Sequence, residues 1–202
     1  MTTARDLTLV VLSLPPDSPV EQGDLSLALA GAEAVDLLES GALTLDGDSM
    51  VPGPRTATGD RLLDQAVDAL VRRPPYETVA AWLWRRGSEL AAVYVGDLKR
   101  DGAISHPAGH GGGHRSGRSG PADSPARRAA ERRRASGEPV LTSLLASVTG
   151  VGEEDPAPDP EHPLGDAVAT VLSVVADTVT ELEAARLRRD IENAAFDNIW
   201  RG

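Results

Sequence analysis

The sequence predicts a mainly α fold: a single globular helical domain with short β-hairpins and a long C-terminal helix. Aromatic residues make up only 3% of 202 residues while 41% are hydrophobic, so the core has to be built from Leu, Val and Ala. That palette suits packed helices better than a sheet sandwich, whose strands favour aromatic and β-branched residues. Apolar residues also recur at helical spacing, most clearly at Leu62, Leu63, Ala66, Val67, Leu70 and Val71. The chain is long enough for one domain with a substantial core.

Residues 6–14 form an apolar run too short for periodicity to separate helix from buried strand. Pro15 to Gly23 is rich in turn residues. Asp24 to Ser40 is predicted to be an amphipathic helix with Leu25, Leu29, Ala32, Leu37 and Leu38 inward and Gly41 as its cap. Leu43 to Val51 reads as a hairpin turning at Asp46-Gly47, a dipeptide that supplies the positive φ angles of a type I′ turn. Thr58 is the expected N-cap of the next helix, with Asp60 in its first turn and Pro74 as its end. A helix after Pro75 carries Val79, Trp82 and Leu83 on one face. Another carries Leu90, Val93, Tyr94 and Leu98, ends at Gly102 and leads into a short strand at Ala103-Ile104. Helix, glycine and short strand thus occur twice, as two winged-helix-like helix-plus-hairpin units.

His106 to Ser124 is rich in Gly, Ser, His and Pro and is expected to be a flexible loop, 106–124, dispensable for folding. Pro125 to Ser136 is helical, and Val140, Leu141, Leu144, Leu145 and Val148 mark a short apolar helix. An acidic, proline-rich linker covers 150–163. The terminal helix, 164–200, aligns Val168, Val171, Leu172, Val175, Val179, Leu182, Leu187, Ile191 and Ile199 along one stripe.

The series Thr58-Gly59-Asp60, Leu62-Leu63-Asp64, Glu77-Thr78-Val79 with Trp82, and Leu98 to Gly102 resembles the Golgi phosphoprotein 3 family. Asp6-Leu7-Thr8-Leu9 and the run from Ala28 to Leu45 are similar to the family's opening. The resemblance implies one such domain over residues 1–202 and a helix at 6–14. It also implies a peripheral membrane adaptor that binds phosphatidylinositol 4-phosphate. The family's headgroup pocket uses a tryptophan and an arginine around the first long helix and two basic residues on a later one. Matched on Gly31, Gly41 and Gly102, those positions fall in the Pro15 to Gly23 loop and at Ala30, Ser88 and Ala91. No basic or aromatic residue stands there, so the charge-assisted donors of that pocket are missing.

The absence of cysteine excludes disulfides, thiolate metal sites and thiol nucleophiles. A formal charge of −11 argues against a nucleic-acid binder, which needs a basic face. No secretory signal and no apolar run long enough for a membrane span is visible, so a cytoplasmic location, peripheral to the inner face of the membrane, is expected. Abundant Ala, Arg, Gly and Pro with Lys99 as the single lysine points to a GC-rich bacterial genome.

His106, His110 and His114 have helical spacing, but the glycines between them oppose a helix and no Cys or nearby Glu completes a metal set. Gly111 to Gly113 lacks the Lys-Ser/Thr ending and the strand-to-helix setting of a phosphate loop. No nucleophile and base stand in an evident pair, so neither an enzyme nor a cofactor is expected. Two basic stretches remain. Arg115, Arg118, Arg127, Arg128, Arg132, Arg133 and Arg134 against Asp123 and Glu131 leave a local excess of five positive charges. Such an island suits lipid headgroups or acidic protein faces, or else pairs with the chain's own Glu153 to Asp155. Trp82 belongs to a core face. Trp84, followed by Arg85 and Arg86, fits either a membrane interface or packing under the terminal helix. The candidate lipid- or anion-binding residues are therefore Trp84, Arg85, Arg86, Arg127, Arg128, Arg132, Arg133 and Arg134. The expected partners are anionic phospholipid headgroups, or protein tails. Self-association through the C-terminal helix defines the alternative, a helical interaction protein, and a winged-helix-like nucleic-acid binder is the least favoured reading.

Overall fold

The structure, a computed structural model, describes residues 2–15, 18, 20–104, 124–150 and 164–200. In chain order it contains α1 (Thr3–Val11), α2 (Gln22–Glu39), β1 (Leu43–Asp46), β2 (Ser49–Pro52), α3 (Arg61–Ala69), α4 (Val79–Arg86), α5 (Leu90–Arg100), α6 (Pro125–Ala135), α7 (Pro139–Thr149) and α8 (Asp166–Trp200). The fold is mainly helical, with one antiparallel hairpin among the described residues. The histidine-containing stretch, Arg115, Arg118 and the acidic stretch around Glu153 lie outside the described residues.

α2 is the axis of the molecule. Every residue from Asp24 to Leu37 is buried, so this helix is enclosed rather than amphipathic as its sequence suggests. Small side chains make that possible. Ala28, Ala30, Gly31, Ala32 and Ala34 let α1, α3, α4, α5, α7 and α8 approach from all sides. At Gly31 the approach is closest: an added Cβ would run into the Val175 side chain of α8. α6 stays outside this ring and lies against α1 and α7.

A buried polar group is costly unless hydrogen-bonded, and α2 turns that cost into connectivity. The Asp24 carboxylate accepts two bonds from Arg186 of α8, at 2.7 and 2.8 Å. The Ser26 hydroxyl accepts the Ala91 N–H at the start of α5, at 3.1 Å. Glu33 holds α4 and α5 through Arg86 and Tyr94. Asp36 accepts the Thr3 and Ala4 N–H groups at 3.0 and 3.5 Å and so closes the N-terminus of α1.

Several local expectations shift. The N-cap of α3 is Asp60, whose carboxylate accepts from the Leu62 and Leu63 N–H groups. Thr58 instead donates its hydroxyl and N–H to Asp64, at 2.8 and 2.7 Å. α3 stops at Ala69, where the chain turns extended at Leu70, well before Pro74, and Val71 is left exposed. The hairpin turns at Gly47-Asp48 because Asp46 pairs with Ser49. Gly47 has φ +61° and Asp48 does not share it, which is the type II′ pattern rather than I′. Gly102 does end α5 in the left-handed region, at φ +69°. Ala103 and Ile104 are buried, and Ile104 takes part in an isolated β-bridge without forming a named strand among the described residues; the rest of a second helix-plus-hairpin unit would lie outside the described residues. Val93 is exposed on α5, away from Leu90, Tyr94 and Leu98.

The terminal helix is corrected most. Val171, Leu172, Val175 and Val179 are buried and Val168 and Leu182 partly so, but Leu187 and Ile191 are 64% and 69% exposed. Steps of three or four residues keep a helix on one face. From Val175, Val179 and Leu182 the next such step reaches Arg186, which is pinned to Asp24. Leu187 is five residues beyond Leu182 and leaves the face.

Candidate anion-binding surface

The eight residues singled out from the sequence fall into separate environments. On α4, Arg86 points inward. Its Nε and Nη2 donate to both oxygens of Glu33, at 2.7 and 2.9 Å, and Nη2 also reaches the Leu62 carbonyl. The Glu33 side chain is 0% exposed and that of Arg86 is 17%. The Tyr94 hydroxyl donates to the same carboxylate at 3.0 Å. Burial raises the Glu33 pKa although Arg86 and Tyr94 oppose it, and burial together with Glu33 raises that of Tyr94. Arg86 is therefore held by a buried ion pair.

Arg85 is half exposed yet also engaged. It donates to both Glu77 oxygens, at 3.1 and 2.6 Å, and to the Ala69 carbonyl at 3.1 Å. Its guanidinium lies 5.4 Å from the centre of the buried Trp82 ring. Trp82 itself is core, with its indole N–H donating to the Ala30 carbonyl at 3.0 Å.

Trp84 is 44% exposed and lines a cleft of about 480 Å³ between the first turns of α2, the α4–α5 junction and α8. Gln22, Gly23, Ser26, Ser88 and Glu89 share that cleft, and Leu182 closes it from α8. It thus faces solvent and packs beside the terminal helix at once. Ser88 is part of the cleft wall, while Ala30 and Ala91 are buried. Among the described residues that line the cleft none is Lys or Arg, Glu89 adds a carboxylate, and the Arg186 guanidinium lies beside Gly23.

The α6 arginines sit elsewhere. Ser124 caps the helix by accepting the Arg127 N–H. Ala130 and Arg133 face inward. Arg133 donates to Asp6 at 3.1 Å and to the Thr3 hydroxyl at 3.2 Å, and it pairs with Glu138 at 3.2 Å. Burial raises the Asp6 pKa, and the Arg133 bond opposes that rise. Arg127 pairs with Glu131 one turn on, at 2.9 Å, and Arg128 is exposed on the same helix. Arg132 and Arg134 are exposed, and no ion pair holds either among the described residues. Arg133 is at the Thr3 end of α1, beside Asp36, whereas Trp84 is at the Gln22 end of α2. Those ends of α2 are fourteen residues apart, about 21 Å at 1.5 Å per residue. Tryptophan and arginine island do not form one site.

Sequence reasoning missed the partners: Glu33, Glu77, Asp6 and Glu138. For Glu33 a signal existed, since it is the only acid in the small apolar run from Leu25 to Val35. No helix among the described residues is long and apolar enough to cross a membrane.

The sequence profile of the Golgi phosphoprotein 3 (GPP34) family matches residues 4–197. The chain belongs to the Golgi phosphoprotein 3 family. That match takes in all eight helices of the structure, including α6 and most of α8, beyond the stretch where the resemblance is densest. Among curated proteins no match was found.

Proposed function

We propose that this Golgi phosphoprotein 3 family member is a non-enzymatic peripheral adaptor that docks on anionic membrane surfaces at the cytoplasmic inner face. The observation that carries this reading is the pair Arg132 and Arg134, exposed on α6 and outside the ion pairs of the described residues. Each basic residue near an anionic surface contributes about 1 kcal/mol, decaying over a Debye length of about 8 Å at physiological salt. Binding of that kind is weak and salt-sensitive. It is expected to follow total lipid charge rather than the position of a phosphate on inositol, because no Lys or Arg is among the described residues that line the cleft and Arg186 beside it is held by Asp24. A binding role rather than catalysis is supported by the buried acids Asp24, Glu33 and Asp36, each bonded to an arginine or to backbone N–H groups.

Flotation on phosphatidylserine vesicles tests the reading. The wild-type chain is expected to float with anionic vesicles at low salt and not with neutral ones. Arg132→Ala with Arg134→Ala should weaken flotation several-fold. Preference for phosphatidylinositol 4-phosphate over an isomer of equal charge would assign binding to a stereospecific pocket instead.

A further inference from the structure

We infer that the outer face of α8 around Leu187 and Ile191 is a parallel self-association seam that takes the same helix of a second copy. The inference is independent of the membrane reading. α8 runs for 35 residues, and among the described side chains Arg186 on Asp24 is the farthest along it to bond the body. Residues on a helix are about 100° apart, which places Leu187 and Ile191 roughly 100° and 140° around from the face carrying Val175, Val179 and Arg186. The two most exposed large apolar side chains of the described chain thus stand next to each other, pointing away from their own domain. A second copy docked there would hold its body on the far side, clear of the first.

Charge selects both the occupant and its direction. In a heptad frame Ala184 and Ile191 take the a position and Leu187 the d position. Glu183 then falls at g and Arg188 at e. A parallel pair sets each g residue against the e residue five places on in the partner, so Glu183 of one copy meets Arg188 of the other, twice by symmetry. An antiparallel pair would bring the two copies' Arg188 residues together. Upstream, Asp177 occupies an a position, which limits the seam to the distal part of α8. The seam is therefore short and the association weak.

The cysteine-free chain provides a clean reporter. Sedimentation of the whole protein across the micromolar to millimolar range is expected to show a reversible monomer–dimer equilibrium. Leu187→Glu with Ile191→Glu should weaken it at least tenfold while leaving the thermal transition in place, since both side chains are exposed. Glu183→Arg or Arg188→Glu alone should weaken the dimer, and the two together should restore it. Under mild oxidation Leu187→Cys should cross-link to itself. A monomer at every concentration, or a dimer indifferent to the Leu187 and Ile191 changes, would overturn the seam. Cross-linking of Leu187→Cys only to Ile191→Cys would overturn the parallel arrangement. A monomer whose vesicle flotation is lost in the Leu187→Glu/Ile191→Glu variant would assign the face to lipid and overturn the proposal.

Discussion

Arg85-Arg86 and Arg132-Arg133-Arg134 look alike in sequence, each a basic cluster in the last turn of a short helix, where positive charge complements the helix dipole. Their structural fates differ. α4 is wedged against α2 and α8, so its arginines meet carboxylates that are buried or nearly so: Glu33 at one and Glu77 at the other. α6 lies outside the ring and has one inward face, so Arg133 is captured by Asp6, Thr3 and Glu138 while Arg132 and Arg134 stay in water. What an arginine does here depends less on its own position than on whether an acid is buried within reach. Attraction is strong only where water is excluded.

Removing Arg86 should break the contrast most visibly. Arg86→Ala leaves Glu33 buried beside Tyr94 without its cation, and is expected to cost about 3–5 kcal/mol in urea unfolding. Arg86→Met combined with Glu33→Leu should recover most of that loss, because neither desolvated charge remains. A small loss for the single change would mean that water reaches Glu33.

Asp36 sharpens the comparison, being a buried acid on the same helix with no arginine bonded to it. Burial pushes its pKa up to about 6, against the bonds from the Thr3 and Ala4 backbone. An unfolded aspartate titrates near 3.9, so the native chain holds this proton more tightly. Its contribution to stability is fully present below about pH 4 and is lost as pH rises through about 6, a fall of about 2–3 kcal/mol. Asp36→Asn should remove that slope from the difference between the two pH–stability curves. Parallel curves would show that Asp36 ionises normally in the fold.

Arg133→Ala should cost about 1–2 kcal/mol by stranding Asp6, and should raise amide exchange along α6 before the rest of the domain. Arg132→Ala with Arg134→Ala marks the lower end, within about 0.5 kcal/mol of wild type in unfolding. If the Arg132 and Arg134 changes destabilised the domain as much as Arg133→Ala, the division of α6 into a held arginine and two free ones would fail.

The helices, their order and most of their ends were legible in the sequence because they depend on local chemistry. Gly41 and Gly102 end helices in the left-handed region, and Val79, Trp82 and Leu83 share one buried face. The absence of basic residues at Ala30, Ser88 and Ala91 was legible too, since residue identity alone excludes a guanidinium there. Where each charge would go was not. Periodicity reports which side of a helix is apolar, not how many neighbours surround it; α2 is enclosed because alanines and Gly31 admit helices on every side. Only that enclosure buried Glu33 and drew Arg86 inward. Likewise, only the endpoint of the body along α8 left Leu187 and Ile191 in water, because burial is set by contacts between segments distant in sequence.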